Sequence, residues 1–366
     1  MTMDGMHCYI NGIGIISPQK TFDNDEFLSE VITYDQNILS CTTPDFKKYI
    51  SPVQLRRLSR MLRIGMTAAK ICLQDANIQI PDGIITATGY GFLEETEKFL
   101  KEMLEREEKQ LTPTYFMQGT YNSLAGLIGL SVKCTGYNNT YVSKGFAFEN
   151  ALHDSILHLK ENKSSTFLVG SYDEAALVQY IAGKRENHYK EQLIVNTDLF
   201  KDRTTGTIMG EGSAFFSLSG SPATSTWCAI QDVRIIYRPE SDEKLNDDLM
   251  SFLDANHVHP KDIDTYISGV SGDAVRDLML ENLEHTILKE TSRVCFKHLC
   301  GEYATAVAFG LWLGASILKK QRIPEAVKVT PGHFPSQVNT VLLVNQFMNR
   351  NYSLILLKRC HYSVTN

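Results

Sequence analysis

Residues 140–171 read TYVSKGFAFENALHDSILHLKENKSSTFLVGS, and residues 292–321 read SRVCFKHLCGEYATAVAFGLWLGASILKKQ. Each opens on a short run suited to a strand, passes through a turn and enters a helical pattern. In the first stretch a second strand run, Thr166–Ser171, follows directly. A strand–helix–strand order predicts a crossover between parallel strands. The second stretch begins the same order again and leads on to the runs Thr340–Phe347 and Tyr352–Lys358. The chain therefore reads as a weak internal duplication with its seam near Gly220–Thr226. Within the second copy, Tyr303–Leu318 is apolar almost all round, as suits a helix enclosed between two sheets. This predicts an α/β protein of five layers built from two similar halves, 1–220 and 221–366, packed as one unit.

Further runs rich in Val, Ile, Thr, Phe and Tyr predict strands at Cys8–Ile16, Gly83–Thr88, Gly212–Leu218, Trp227–Ile236 and Thr265–Val270. Further helices are predicted at Ser51–Ala76, Glu94–Lys109, Ser123–Lys133 and Asp273–Lys289, and the polar Tyr189–Thr205 reads as a surface loop. The charged Glu94–Gln110 reads as a solvated helix face.

The chain has 366 residues, 43% of them hydrophobic, and a formal charge of −6 without a basic run. A chain of this length buries a large core, and the missing basic cluster argues against nucleic acid as a partner. Eight scattered cysteines show no C-x-x-C pair and read as reduced thiols. His257 and His259 are two residues apart without a third ligand nearby, so no metal or other cofactor is expected. The longest nearly apolar stretch, Ala306–Leu318, is shorter than the roughly 20 residues that span a bilayer. The first lysine is Lys20, so no basic stretch precedes the first apolar run as it does in a secretory signal. A soluble, cytoplasmic protein without membrane insertion is expected.

Three passages in order carry a likeness: Phe116–Gly126 (FMQGTYNSLAG), Gly206–Phe216 (GTIMGEGSAFF) and Lys297–Ala306 (KHLCGEYATA). Together they resemble the interface segment, the G-E-G-A turn and the lysine/histidine motif of the β-ketoacyl-ACP synthases of the thiolase superfamily. The likeness runs from residue 7 to the C-terminus and implies the thiolase-like αβαβα fold. Such condensing enzymes hold the acyl chain on a cysteine at a helix N-terminus, where the helix dipole and backbone N–H groups assist, and use two histidines.

Against that pattern, the position matching the nucleophile is Gly145. Thr265–Asp277, expected to bring the first histidine, holds none. Lys297 and Gly301 match the third motif, but Glu302 takes the histidine position. The Gly-rich loop expected after Phe347 is replaced by Met348-Asn-Arg-Asn351. No catalytic residue is therefore expected at Gly145, Lys297 or Glu302. An ionised Glu302 would repel an enolate, and a structural salt bridge with Lys297 is expected instead. Ser143 and Lys144 are alternative nucleophile candidates, with an exposed amine the simpler reading of Lys144. His298 and Cys300 read as packed core residues.

The spelling is most like the degenerate ketosynthase-like, chain-length-factor proteins of aryl-polyene or flexirubin-type clusters. The resemblance implies a subunit without condensing activity that pairs with a Cys-bearing ketosynthase in polyene or fatty-acyl chain elongation and works with acyl carrier protein. It also implies that Phe116, with Tyr115, Met117 and Thr120, lies at the dimer interface as a tunnel gate. Arg56, Arg57, Arg60 and Arg63 resemble the family's early basic helix. They are candidates for carrier docking, with helix solubility the simpler role. Two alternatives remain open: an active synthase or malonyl-ACP decarboxylase using unorthodox residues, and an acyl-binding homodimeric scaffold.

Overall fold

The computed structural model describes residues 8–328 and 334–360. Ten strands occur in it: β1 Cys8–Ile16, β2 Gly83–Thr88, β3 Tyr137–Val142, β4 Thr166–Asp173, β5 Gly212–Ser219, β6 Cys228–Tyr237, β7 Thr265–Gly269, β8 Ser292–Cys295, β9 Thr340–Phe347 and β10 Asn351–Lys358. The helices are α1 Pro52–Leu55, α2 Arg60–Asp75, α3 Leu93–Glu105, α4 Pro113–Gly119, α5 Ser123–Val132, α6 Ala147–Glu161, α7 Leu177–Arg185, α8 Asp242–Ala255, α9 Leu278–His285, α10 Lys297–Cys300 and α11 Val307–Lys320.

The strand order is β3-β2-β4-β5-β1-β6-β10-β9-β7-β8. Read inward from the opposite edge, the last five strands repeat the first five, each replaced by the strand five later in the chain. In both sets the outer three strands are parallel and the next two pairings antiparallel. Among the described residues, the strand pairing that joins the two sets is that of Cys8–Ile10 with Cys228–Ile230. Helices α2 and α5 cover one set and α8 and α9 the other, while α6 and α11 lie between the sets. That gives five layers of the thiolase-like fold. Helix α11 is buried from Val307 to Leu318, as its all-round apolarity requires.

Several expected elements change. The helix expected over 51–76 breaks at residues 56–59, where the Gln118 side chain accepts from the Ser59 N–H, and α2 starts after it. The helix expected from Glu302 begins five residues later at Val307. Gly301 has a φ of +73°, and Glu302 runs extended in a bridge to Met209. A Cβ on Gly210 would stand 1.9 Å from the Cys300 carbonyl oxygen, so this contact requires glycine. The helix expected at Asp273–Lys289 shortens to α9 because Asp273 and Asp277 cap the preceding turns. Helices α4, α7, α8 and the short α10 lie outside the expected set.

Residues 189–205 are more than a surface loop: Lys190 is buried, its ammonium donating to the Thr204 and Gly272 carbonyls at 3.2 and 3.0 Å. The charged helix α3 is not wholly solvated either. Glu102 is buried and accepts from the Thr112 N–H and hydroxyl, both at 2.7 Å, which fastens α3 to the start of α4.

Candidate functional site

Parallel strands leave a crevice beyond their carboxyl ends, and helices start there with their positive ends inward. In this chain the crevice is a cavity of about 870 Å³. Val142 at the end of β3, Tyr90 after β2, Ser271 after β7 and Phe347 at the end of β9 all line it, together with the turn Ser143–Phe146 that leads into α6.

That turn holds Gly145, which is buried. A Cβ built on it would lie 2.7 Å from both Cβ and Cδ1 of Phe347. The place of a side chain at this position is therefore filled by the Phe347 ring. The ring is held by the hairpin that carries it. Met348 and Asn349 take φ of +57° and +52°, Gln346 Oε1 accepts from the Asn349 N–H at 2.8 Å, and Asn349 also bonds Tyr352 Oη. Residues 265–277, β7 and the turns directly after it, carry no histidine, and at Gly269 a Cβ would stand 2.6 Å from the Asn345 Cα.

Lys297 is buried at the start of α10, and its ammonium donates to Glu302 Oε2 and to the Gln346 carbonyl, both at 2.7 Å. Gln346 in turn donates through Nε2 to Asp277 Oδ1 at 3.0 Å, and Asp277 accepts from the Ser271 and Gly272 N–H groups. Burial pushes the Glu302 carboxyl up to about 7, with Lys297 opposing the rise. Glu302 Oε1 has no hydrogen-bond partner among the described residues. Glu149, in the first turn of α6, is fully buried with neither oxygen hydrogen-bonded among the described residues. Burial lifts it to about 7 as well, opposed by the nearby Ser353 hydroxyl and more weakly by Lys297.

The G-E-G-A turn is structural. Glu211 is buried and receives both ends of the Arg60 guanidinium, the Nη1–Oε1 arm at 2.7 Å, as well as the Cys41 and Ala175 N–H groups. Arg60 is thus committed to the core, and Arg63 donates to the Leu58 carbonyl, while Arg56 and Arg57 are exposed. Asp173 accepts from Thr88 Oγ1 and the Gly89 N–H on one oxygen and from the Thr305 N–H and hydroxyl on the other, tying β2 and β4 to the approach to α11.

The other candidates fall elsewhere. Ser143 accepts from Asn150, and Lys144 is exposed at the cavity rim. His298 is buried, its Nε2 2.7 Å from the Ala326 carbonyl, and burial lowers it to about 4. Cys300 is buried with its thiol raised well above the usual range by desolvation. His259 caps a turn through the Lys261 N–H, and no group of three metal-binding side chains occurs among the described residues. No helix of the described residues is long and apolar enough to cross a membrane.

Tyr115, Phe116 and Met117 sit on α4 with Thr120 at its end. Phe116 is 59% and Met117 66% exposed, and Phe116 packs at 5.4 Å on Phe99. Strand β3, against which the next helix α5 packs, is a sheet edge, bonded only to β2 among the described residues.

The sequence motifs did not single out Glu149 or Asp173. A carboxylate on the apolar side of α6, between Phe148 and Ala151, is the signal that marks Glu149. Phe347 was noted only as a neighbour of the missing loop.

Comparison with curated proteins finds no match. Among solved structures, the ishigamide ketosynthase/chain length factor is similar with a TM-score of 0.79 at 13% identity, over 97% of this chain and all of that one. A chain of the complex AntDE:AntF, a type II PKS acyl-carrier protein with its ketosynthase, gives 0.76 at 13% identity over the same shares. A beta-ketoacyl synthase from Burkholderia phymatum gives 0.75 at 12%, again over 97% of this chain and all of that one. At these identities the likeness shows the fold alone. Residues 12–221 match the family described as beta-ketoacyl synthase, N-terminal domain, and the chain belongs to that family.

Proposed function

We propose that this chain is a catalytically incompetent ketosynthase-like subunit of chain-length-factor type. It pairs in the cytoplasm with a Cys-bearing ketosynthase and works with acyl carrier protein in polyene or fatty-acyl chain elongation. The observation that carries the reading is Gly145 with the Phe347 ring packed against it: neither a thiol nor the room for one exists where the acyl chain would be held. The absent histidine after β7 and the pairing of Glu302 with Lys297 agree with it. A ketosynthase/chain length factor and a carrier protein–ketosynthase complex among the similar structures support the choice of partners.

The exposed apolar Phe116 and Met117 on α4, with Tyr115 and Thr120 next to them, and the β3 edge of the sheet are the surface on which the partner sits. Volume changes in a packed wall are felt at the scale of one methylene, so Phe116 there limits the depth of the partner's acyl tunnel.

The test is direct. Incubated alone with acyl-ACP or cerulenin, the chain gains no adduct at a thiol by intact mass spectrometry, and co-expressed with a ketosynthase it purifies as a one-to-one complex. A stoichiometric acyl adduct on the lone chain overturns the reading. The Glu302 carboxyl near 7 gives the decarboxylase alternative a specific basis, since its protonated form is a hydrogen-bond donor. Release of CO2 from malonyl-ACP by the lone chain would establish that alternative instead. A tight homodimer that ignores the ketosynthase would point to the acyl-binding scaffold.

A further inference from the structure

Residues 186–211, between α7 and β5, wall one side of the cavity through Glu186, His188 and Tyr189. Leu199 ties this insertion to Leu39 and Ile208 in a small apolar cluster. A cation ties it to the turn after β7. Lys190 is 1% exposed, and its ammonium lies 3.0 Å from the Gly272 carbonyl oxygen, 3.1 Å from Thr204 Oγ1, 3.2 Å from the Thr204 carbonyl oxygen and 3.5 Å from that of Asp202. Among the described residues the nearest carboxylate oxygen, Asp202 Oδ1, stands farther out at 3.8 Å.

This is not the arrangement of a salt bridge. Lys297 sits directly on a carboxylate, 2.7 Å from Glu302 Oε2, whereas Lys190 is enclosed by neutral oxygens. An ammonium has only three N–H groups, fewer than the oxygens that surround it here. A shell rich in backbone carbonyls is how a protein replaces the water around an alkali cation. Burial lowers the Lys190 amine from its ordinary range, and the charges of Asp202, Asp273 and Asp277 oppose that, so the field at this point favours a positive charge. Gly272 takes a φ of +79°, and a Cβ on it would stand 2.6 Å from Leu199 Cγ, so the turn approaches the insertion this closely only as glycine.

We infer that these four oxygens form a site for a monovalent cation of ammonium or potassium size, which this chain fills with its own Lys190, and that the filled site fastens residues 194–204 to the turn after β7. The inference does not depend on the non-catalytic reading above.

Hydrogen–deuterium exchange of the whole chain, read by mass spectrometry, tests it through residues 194–204, where Asn196, Leu199, Lys201 and Asp202 donate backbone N–H bonds. Lys190→Ala keeps the backbone oxygens and removes the cation. In tetramethylammonium chloride, whose cation is too large for the site, its segment is expected to exchange at least about tenfold faster than in the wild type, the range of hydrogen bonds to a charged group. Ammonium or potassium chloride at equal ionic strength is expected to restore protection saturably, while the wild type ignores the change of salt. Lys190→Met puts an apolar stem in the same space and is expected to open the segment in every salt. Thr204→Val, at an exposed residue, removes Oγ1 alone and is expected to speed exchange about fivefold, the scale of one hydrogen bond. Full protection of Lys190→Ala in tetramethylammonium, restoration by neither small cation, or an equal loss of protection in β9 and β10 overturns the inference. If both Lys190 variants fail to fold, Thr204→Val decides alone, and unchanged exchange then overturns it.

Discussion

Asp173 and Glu149 are both buried carboxyls, and they differ in what surrounds them. Asp173 gathers four donors from β2, the turn after it and the approach to α11, whereas Glu149 at the start of α6 has no hydrogen bond for either oxygen. The first is a framework device: its bonds connect segments 132 residues apart in the chain. The second lies in the first turn of α6, four residues past Gly145, and neither of its oxygens is hydrogen-bonded among the described residues. The contrast teaches that the polar framework between the strands and the approach to α11 is saturated, while at the start of α6 the Phe347 ring takes up the space beside Gly145.

The largest expected effect breaks the framework. Asp173→Ala strips four donors of their acceptor and should cost about 4 kcal/mol by urea unfolding. A loss under about 1 kcal/mol would mean that water replaces the carboxylate and that the contrast with Glu149 is unreal.

Glu149 predicts a pH dependence. Its folded pKa of about 7 lies above the ordinary 4.5, so the native state holds a proton that the unfolded chain has released. Its contribution is therefore fully present below about pH 4.5 and is lost as the pH rises through 7, on the order of 3 kcal/mol in all. Glu149→Gln should flatten part of the fall in stability between pH 5 and pH 8, leaving the slope due to Glu302 and Glu174, which shift in the same direction. An unchanged pH profile in the variant would show that Glu149 finds a partner in solution.

Filling the turn should do less. Gly145→Ala forces a methyl against the Phe347 ring and is expected to destabilise by about 2 kcal/mol, the scale of an overpacked core. If Gly145→Cys instead folds without loss and takes up an acyl group, the pocket is not filled as described. The smallest effect on stability is expected at the surface: Phe116→Ala should change the unfolding free energy by less than about 0.5 kcal/mol while weakening co-purification with a ketosynthase. Undiminished pairing would remove Phe116 from the proposed interface.

Much of this was legible in residue order. Repeated strand–helix patterns and the all-round apolar α11 were enough for five layers, because periodicity reports which faces are buried. Helix α8 had a full signal, with Ser241 as cap and Leu245, Leu249, Phe252 and Leu253 at helical spacing, yet it lies outside the expected elements. Helix α7 carries no such stripe: Leu177, Val178 and Ile181 are all exposed. The break before α2 was hidden because it depends on Gln118, 59 residues away.

The loss of a thiol, of the histidine after β7 and of the glycine-rich loop was written in the sequence, since an absent functional group needs no coordinates to be noticed. That Phe347 occupies the space beside Gly145, that Glu211 is spent on Arg60, and that Glu302 keeps one buried oxygen without a partner among the described residues were decided only by the tertiary structure. Each depends on segments far apart in the chain meeting within a few ångströms, and local spacing holds no record of such distances.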